Sequence, residues 1–371
     1  MALFTNQATL TYNGSTTNSN IAYGELLDVL VIKQRQEVVY MTEISSSEKG
    51  TRKAFSRIGI ALCAIFLVSS LLQVVWFQVL DLIPGMPDWF TTSSWGIWLG
   101  TFIPMYLIGI PVGLLIVKGI PGETPEENRL GSKDFFKFLL IAFFLMYAGN
   151  ILGTMLSGLL SGGQAQNVLD EYAMDTNPLK IVFMVIGAPL IEEYIFRKCL
   201  LDKTRKYGEK AAVFLSALTF GLFHMNLFQF FYAFALGWLF AYIYLRTGRL
   251  RYPVLFHGII NFMGGVVAPA ILSLADSDVL TNMDANTTIV DLISLYRDML
   301  PGLIATMLYS YAMIGLAIAG LVLLILERKK MVWRETQYQL PKDRVIKTIY
   351  INFGMIAFIL LSLAFTLLSV M

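Results

Sequence analysis

The sequence predicts an all-α fold, a polytopic bundle of membrane helices, on three observations. Of 371 residues, 56% are hydrophobic and only 15% charged, with a mean hydropathy of +0.64, whereas soluble domains carry about 25% charged residues. Beyond residue 56, apolar runs recur along almost the whole chain, most of them near the ~20 residues that a spanning helix needs. Lysine and arginine gather in alternate connections between those runs, as expected when basic loops stay on the cytoplasmic side.

The net charge of +2 is too small to argue for a nucleic-acid partner; the lipid bilayer is the partner that the composition implies. Cys63 and Cys199 fall within or at the end of apolar segments and do not read as a disulfide framework.

In order, residues 1–56 are polar and rich in Thr, Asn and Ser, with a β-prone patch at 29–32. They read as a tail or small appendage without a signal-peptide pattern, so that the first membrane helix serves as the insertion signal. Apolar runs follow at 58–80, 95–117, 135–160, 179–203, 211–226, 227–245, 253–275, 301–326 and 348–371. The pair 211–226 and 227–245 is short and joined by almost nothing, which places the turn near Asn226 inside protein. Reading the pair as one bent segment gives eight crossings in place of nine. The chain then divides into the tail, the first two membrane helices and their loop (57–134), a central membrane core (135–275), and an acidic outer loop with the last two helices (276–371).

The basic residues favour nine. Lys49, Arg52, Lys53 and Arg57 precede the first run, and none lies in 81–94. A cluster from Arg197 to Lys210 follows the fourth run, and the 226 turn again has none. High and low counts alternate at every crossing, with a cytoplasmic N-terminus and an outer C-terminus. Gly149 and Gly153 form a small-xxx-small pair for close helix approach, and Gly258, Gly264 and Gly265 thin one face of the seventh run. Gly264-Gly265 also licenses a local break, and Pro189 frees the carbonyl of Val185 four residues earlier.

Chemistry concentrates at 192–261. Glu192-Glu193-Tyr-Ile-Phe-Arg197 ends an apolar run, where charge is costly in lipid. Glu193 and Arg197 stand at i, i+4 and can pair, while Glu192 is turned about 100° away and stays free for chemistry. The two histidines of the chain, His224 and His257, lie in the apolar runs downstream, and His257 and Asn261 share one helical face. A glutamate beside a histidine can position and deprotonate water, and neutral donors can hold an oxyanion. Each residue also has a plainer reading: Arg197 reaching for the inner surface, His224 at an interface, His257 near the inner helix end, and Asn261 as interhelical glue. If the helices are straight, His257 lies about 9 Å and His224 about 20 Å from the inner surface, so a shared site requires a kink or slanted helices.

Glu192-Glu193-x-x-x-Arg197, Phe220-x-x-x-His224 and His257-x-x-x-Asn261 together resemble the CAAX protease and bacteriocin-processing family, also called the abortive-infection family, of intramembrane glutamate proteases. The resemblance covers about residues 135 to 275. It implies an endopeptidase that acts on membrane-associated peptides or proteins. Glu192 would be the general base on water, His224 its partner in binding water, and His257 and Asn261 the oxyanion site. Glu193 and Arg197 would support the base. A zinc ion held by Glu192, His224 and His257, as in metalloprotease-like sites, is the one cofactor these donors suggest, though no His-x-x-x-His helix is present. Two other classes remain open. One is a proton-coupled transporter with Glu192, Arg197 and the histidines as a relay; the other is a non-catalytic immunity or partner protein of the same fold. The expected location is a bacterial cytoplasmic membrane.

Overall fold

Each apolar run folds as helix in a computed structural model of the chain, which describes residues 10–12, 15–17, 48–274 and 289–371. The chain divides into two compact units, Met1–Ala54 and Phe55–Met371. In the first, β1 (Leu10–Tyr12) and β2 (Ser15–Thr17) form an antiparallel hairpin with Leu10 opposite Thr17. The 29–32 patch and residues 276–288 of the acidic loop lie outside the described residues.

The helices are α1 (Glu48–Val79), α2 (Ser94–Val117), α3 (Ser132–Ser161), α4 (181–204), α5 (Glu209–Phe223) and α6 (Leu227–Thr247). They continue with α7 (Arg251–Leu272), α8 (Ile289–Glu327), α9 (Lys342–Ile349) and α10 (Phe353–Leu368). The pair expected at 211–245 is therefore two helices and not one bent segment. Among the described residues, six stretches are long and apolar enough to cross a membrane: α1, α2, α3, α6, α7 and Met299–Lys330. Counting α9 and α10, bent by 70°, as one span makes seven. The expected nine also needs α4, where Glu192, Glu193, Arg197 and Lys198 break the apolar run, and α5, which has only 15 residues. Large apolar side chains such as Leu71, Leu115, Leu159, Leu308 and Leu360 stand more than half exposed on the bundle surface, as a lipid-facing belt requires.

Local sequence sets the ends. Asn226 caps α6 by accepting from the Gln229 N–H at 2.8 Å. The helix stops at Gly248, which has φ +61° and donates to the Tyr244 carbonyl. A Cβ at Gly248 would stand 2.5 Å from the Pro125 carbonyl, so only glycine fits. The small-residue pair on α3 does as expected: a Cβ at Gly149 would lie 2.4 Å from the Tyr232 backbone, and one at Gly153 would lie 2.7 Å from the Phe228 carbonyl. Backbone thus packs on backbone between α3 and α6. On α7 the expectation holds in part. Gly258 meets the Val185 carbonyl of α4, whereas Gly264 faces open space. The Gly264-Gly265 break takes the form of a π-register stretch, Met263–Val267. The core joins Ile141, Ala142 and Phe143 of α3 to Phe240 and Ile243 of α6, Phe256 and Ile260 of α7, and Met313 of α8.

The connections sort into two ends. At one, the Thr124 hydroxyl donates to Asp202 at 2.9 Å and the Asn128 N–H to the Thr247 carbonyl at 2.8 Å. There too the Leu340 N–H donates to the Tyr207 carbonyl, and Arg246 pairs with Glu209. At the other, Asp175 accepts from Ser94 at 2.5 Å, from the Trp98 indole at 2.7 Å and from the Asn177 N–H, tying the entry of α4 to α2. Burial tends to raise the Asp175 carboxyl, but the donors Ser94, Asn177 and Trp98 outweigh it and hold the group below the usual carboxylate range.

Candidate active site

The site forms where α4, α5, α6 and α7 converge. α4 departs from the regular α-helix twice, with π-register at Ile181–Gly187 and Tyr194–Leu201 on either side of the short α-helical stretch that ends at Glu193. Such bulges occur mostly as single turns within α-helices and recur at functional sites. Pro189 has no N–H, so in π-register the carbonyl left without a donor is that of Met184, five residues back, and not Val185. The Asn261 carboxamide donates to that carbonyl at 2.8 Å. One N–H of Asn261 is thereby committed to fastening α7 onto the irregular part of α4.

Glu193 and Arg197 are both fully buried, with Arg197 Nε 2.9 Å from Glu193 Oε2. Arg197 therefore does not extend to the inner surface and does not belong to the surface basic cluster. The contact is an ion pair without good hydrogen-bond angles, since Nε and Oε2 have no geometric hydrogen-bond partner. The guanidinium is also held by the Gly237 carbonyl at 3.4 Å, and its carbon lies 4.6 Å from the Phe220 ring centre and 5.8 Å from that of Phe240. Aromatic faces of this kind stabilise a desolvated cation.

The second oxygen of Glu193 accepts from His257 Nδ1 at 3.0 Å. The other ring nitrogen, Nε2, stands 3.9 Å from Oε2 of Glu192. A separation of this size suits a bridging water or a proton in transit better than a direct hydrogen bond. Glu192 is the more open of the two carboxylates, with 19% of its side chain exposed against 0% for Glu193.

His224 ends α5. The next residue, Met225, has φ 52°, a left-handed conformation rare for a side chain of its size and typical of functional turns. His224 Nδ1 lies 2.8 Å from the Phe220 carbonyl. A carbonyl only accepts, so Nδ1 carries the proton and Nε2 of the neutral ring is left as an acceptor. The depth mismatch expected for straight helices does not keep the two histidines apart. Both imidazoles pack on one ring, with the Phe220 centroid 5.0 Å from His224 and 5.8 Å from His257.

The structure gathers Arg197, His224 and His257 around Phe220, with Glu193 against Arg197 and His257, Glu192 3.9 Å from His257, and Asn261, one turn along α7 from His257, on the α4 backbone. Sequence reasoning named Phe220 only as the first residue of the second motif, and passed over the Gly237 carbonyl and Tyr106 of α2, whose hydroxyl oxygen is buried with no hydrogen-bond partner among the described residues. Of these last two, only Tyr106 left a sequence signal, a hydroxyl inside an apolar run. Among the described residues no three His, Cys, Asp or Glu side chains are grouped closely enough to hold an ion; both histidines have Nδ1 engaged by protein, which leaves Nε2 of each as the nitrogen turned to other partners.

A membrane bundle with buried carboxylates and histidines at its irregular helices defines the class, and comparison with known proteins shows what its central segment resembles. Residues 175–263 match the type II CAAX prenyl endopeptidase family described as Rce1-like. YdiL of Bacillus subtilis (strain 168), which bears the name of a membrane peptidase, is 29% identical over 42% of this chain and 66% of its own length. The membrane-embedded CAAX protease MroQ of Staphylococcus aureus (strain USA300) is 27% identical over 43% of this chain and 70% of its own. Human CAAX prenyl protease 2 is 35% identical over 21% and 30% respectively. The chain thus matches about two thirds of the length of the first two relatives and under a third of the human one. No solved structure matches it. Through this central segment the chain is similar to the type II CAAX endopeptidase family, and the relatives it matches bear the names of peptidases and proteases.

Proposed function

We propose that the protein is an intramembrane endopeptidase in which Glu192 activates water. The observation that carries this reading is the division of labour between adjacent carboxylates. Glu193 is neutralised by Arg197 and hydrogen-bonded to His257, whereas Glu192 is partly open and, among the described residues, has no cationic partner closer than the ring nitrogen 3.9 Å away. In the reaction a water between Glu192 and Nε2 of His224 gives its proton to Glu192, and its oxygen bonds to the scissile carbonyl carbon. The carbon–nitrogen bond then breaks and the proton passes from Glu192 to the leaving nitrogen. His257 donates to the oxyanion through Nε2. With Nδ1 already donating to Glu193, the ring carries both protons when it does so, and Glu193 balances that charge. Asn261 supplies its second N–H.

The substrate class is a polypeptide held at the membrane. The name of the human relative points to prenyl-anchored C-termini as the first class to try. The N-terminus lies on the cytoplasmic side of a bacterial membrane, from the distribution of basic residues. Glu192→Gln keeps shape and hydrogen bonding but cannot take a proton. It is expected to abolish cleavage of membrane-anchored peptides by purified protein while accumulating normally. Full activity of that variant would overturn the assignment.

A further inference from the structure

The apolar run of α2 contains a buried hydroxyl, that of Tyr106, beside α4. The Tyr106 ring packs beside Phe102 and Phe183, with centroids 5.5 and 6.2 Å away. It lies against Gly187 of α4, where an added Cβ would come within 3.3 Å of the ring edge and 3.8 Å of the hydroxyl. Gly187 closes the first π-register stretch, five residues before Glu192, and the Tyr106 hydroxyl lies in the field of the Glu192 carboxylate. A buried hydroxyl without a partner weakens the fold that holds it. Phenylalanine would fill the same aromatic surroundings without that cost, so packing alone does not account for the hydroxyl.

We propose that Tyr106 is a further catalytic residue, its hydroxyl donating a hydrogen bond to the scissile carbonyl oxygen as that oxygen becomes an oxyanion. The inference rests on the peptidase reading above. The other donors are partly spent: Asn261 has one N–H on the Met184 carbonyl and His257 has Nδ1 on Glu193. When water attacks, Glu192 takes its proton and the carbonyl electron pair moves onto oxygen. Tyr106 keeps its own proton and donates a hydrogen bond. When the intermediate collapses, that pair returns, the carbon–nitrogen bond breaks, and the proton on Glu192 goes to the leaving nitrogen. A phenol suits this role because it is a strong neutral donor that brings no fixed charge into a low-dielectric site.

The test uses the full-length protein in proteoliposomes with internally quenched peptides, half carrying a prenyl anchor and half an acyl anchor, on those that the unaltered protein cuts. Tyr106→Phe is expected to lower kcat roughly 100-fold and to change KM less than about 3-fold. Its thermal midpoint should stay unchanged or rise, and its pH–rate profile should keep the same limbs. Unchanged kcat would overturn the inference. So would a displaced pH limb, which would mean that the phenol tunes Glu192, or a lowered thermal midpoint, which would mean that the hydroxyl is structural. Glu192→Gln is measured in parallel. If that variant is inactive while Tyr106→Phe is fully active, only the Tyr106 inference fails; if Glu192→Gln is fully active, the assignment of Glu192 as the base on water fails as well.

Discussion

At the residue scale the site depends on one buried ion pair shared three ways. Arg197, Glu193 and His257 are all buried, and removing one partner of such a set leaves an uncompensated charge, at a cost of about 3–5 kcal/mol. Arg197→Ala should therefore lower the thermal midpoint in detergent and the folded yield. Glu193→Gln combined with Arg197→Met should recover much of both, because Gln still offers a carbonyl to His257 Nδ1 and Met fills the space between Phe220 and Phe240. If the double variant is no more stable than the single, the pair does not set stability. The i, i+4 spacing alone made this pair legible in the sequence, together with the conclusion that Glu192 points elsewhere. The contact from His257 to Glu193 was not legible, since it spans 64 residues and depends on how α7 crosses α4. The same limit hid what Phe220 does: the second motif names it, but only the fold sets a cation and two imidazoles around its ring.

At the element scale, α4 is irregular on both sides of the stretch that carries the two carboxylates. Sequence indicated that a kink was needed and that Pro189 would free a carbonyl, but not the π-register, which moves the freed group from Val185 to Met184. That register is a tertiary outcome, because it is stabilised by a donor from another helix. Asn261→Ala should destabilise the protein by about 1–3 kcal/mol, as the buried Met184 carbonyl loses its partner. Pro189→Ala restores an N–H at the position that serves Met184 in π-register, so the double variant should recover stability lost by Asn261→Ala. Recovery of stability without recovery of kcat would separate the fastening role of the carboxamide from its role toward the oxyanion. Equal thermal midpoints for the unaltered protein and Asn261→Ala would contradict the fastening role.

At the scale of the whole molecule, the alternation of basic residues along the sequence and the clustering of connections in space agree. The basic stretches 118–131, 205–210, 246–251 and 328–344 meet at one end through Thr124–Asp202, Asn128–Thr247, Arg246–Glu209 and Leu340–Tyr207. The connections 80–94 and 162–180, nearly free of basic residues, meet at the other through Ser94–Asp175 and Trp98–Asp175. α9 lies at the basic end, with Lys342, Arg344 and Lys347 beside Val345 and Ile346, a composition suited to the headgroup region. α10 turns 70° away from it. α4 and α5 fall short of the length and apolar composition of a spanning helix because α4 carries the charges of the candidate site and α5 stops at His224. Each helix nevertheless carries the chain onward, so the N-terminal side of α1 and the end of α10 should face opposite compartments. Reporter fusions after Lys203 and after Lys329 are expected to be active only in the cytoplasm, and fusions after Gly163 and after Met371 only outside. A reporter after Met371 that works only in the cytoplasm would remove one crossing, and the assignment of α4 and α5 as separate passes would fall with it.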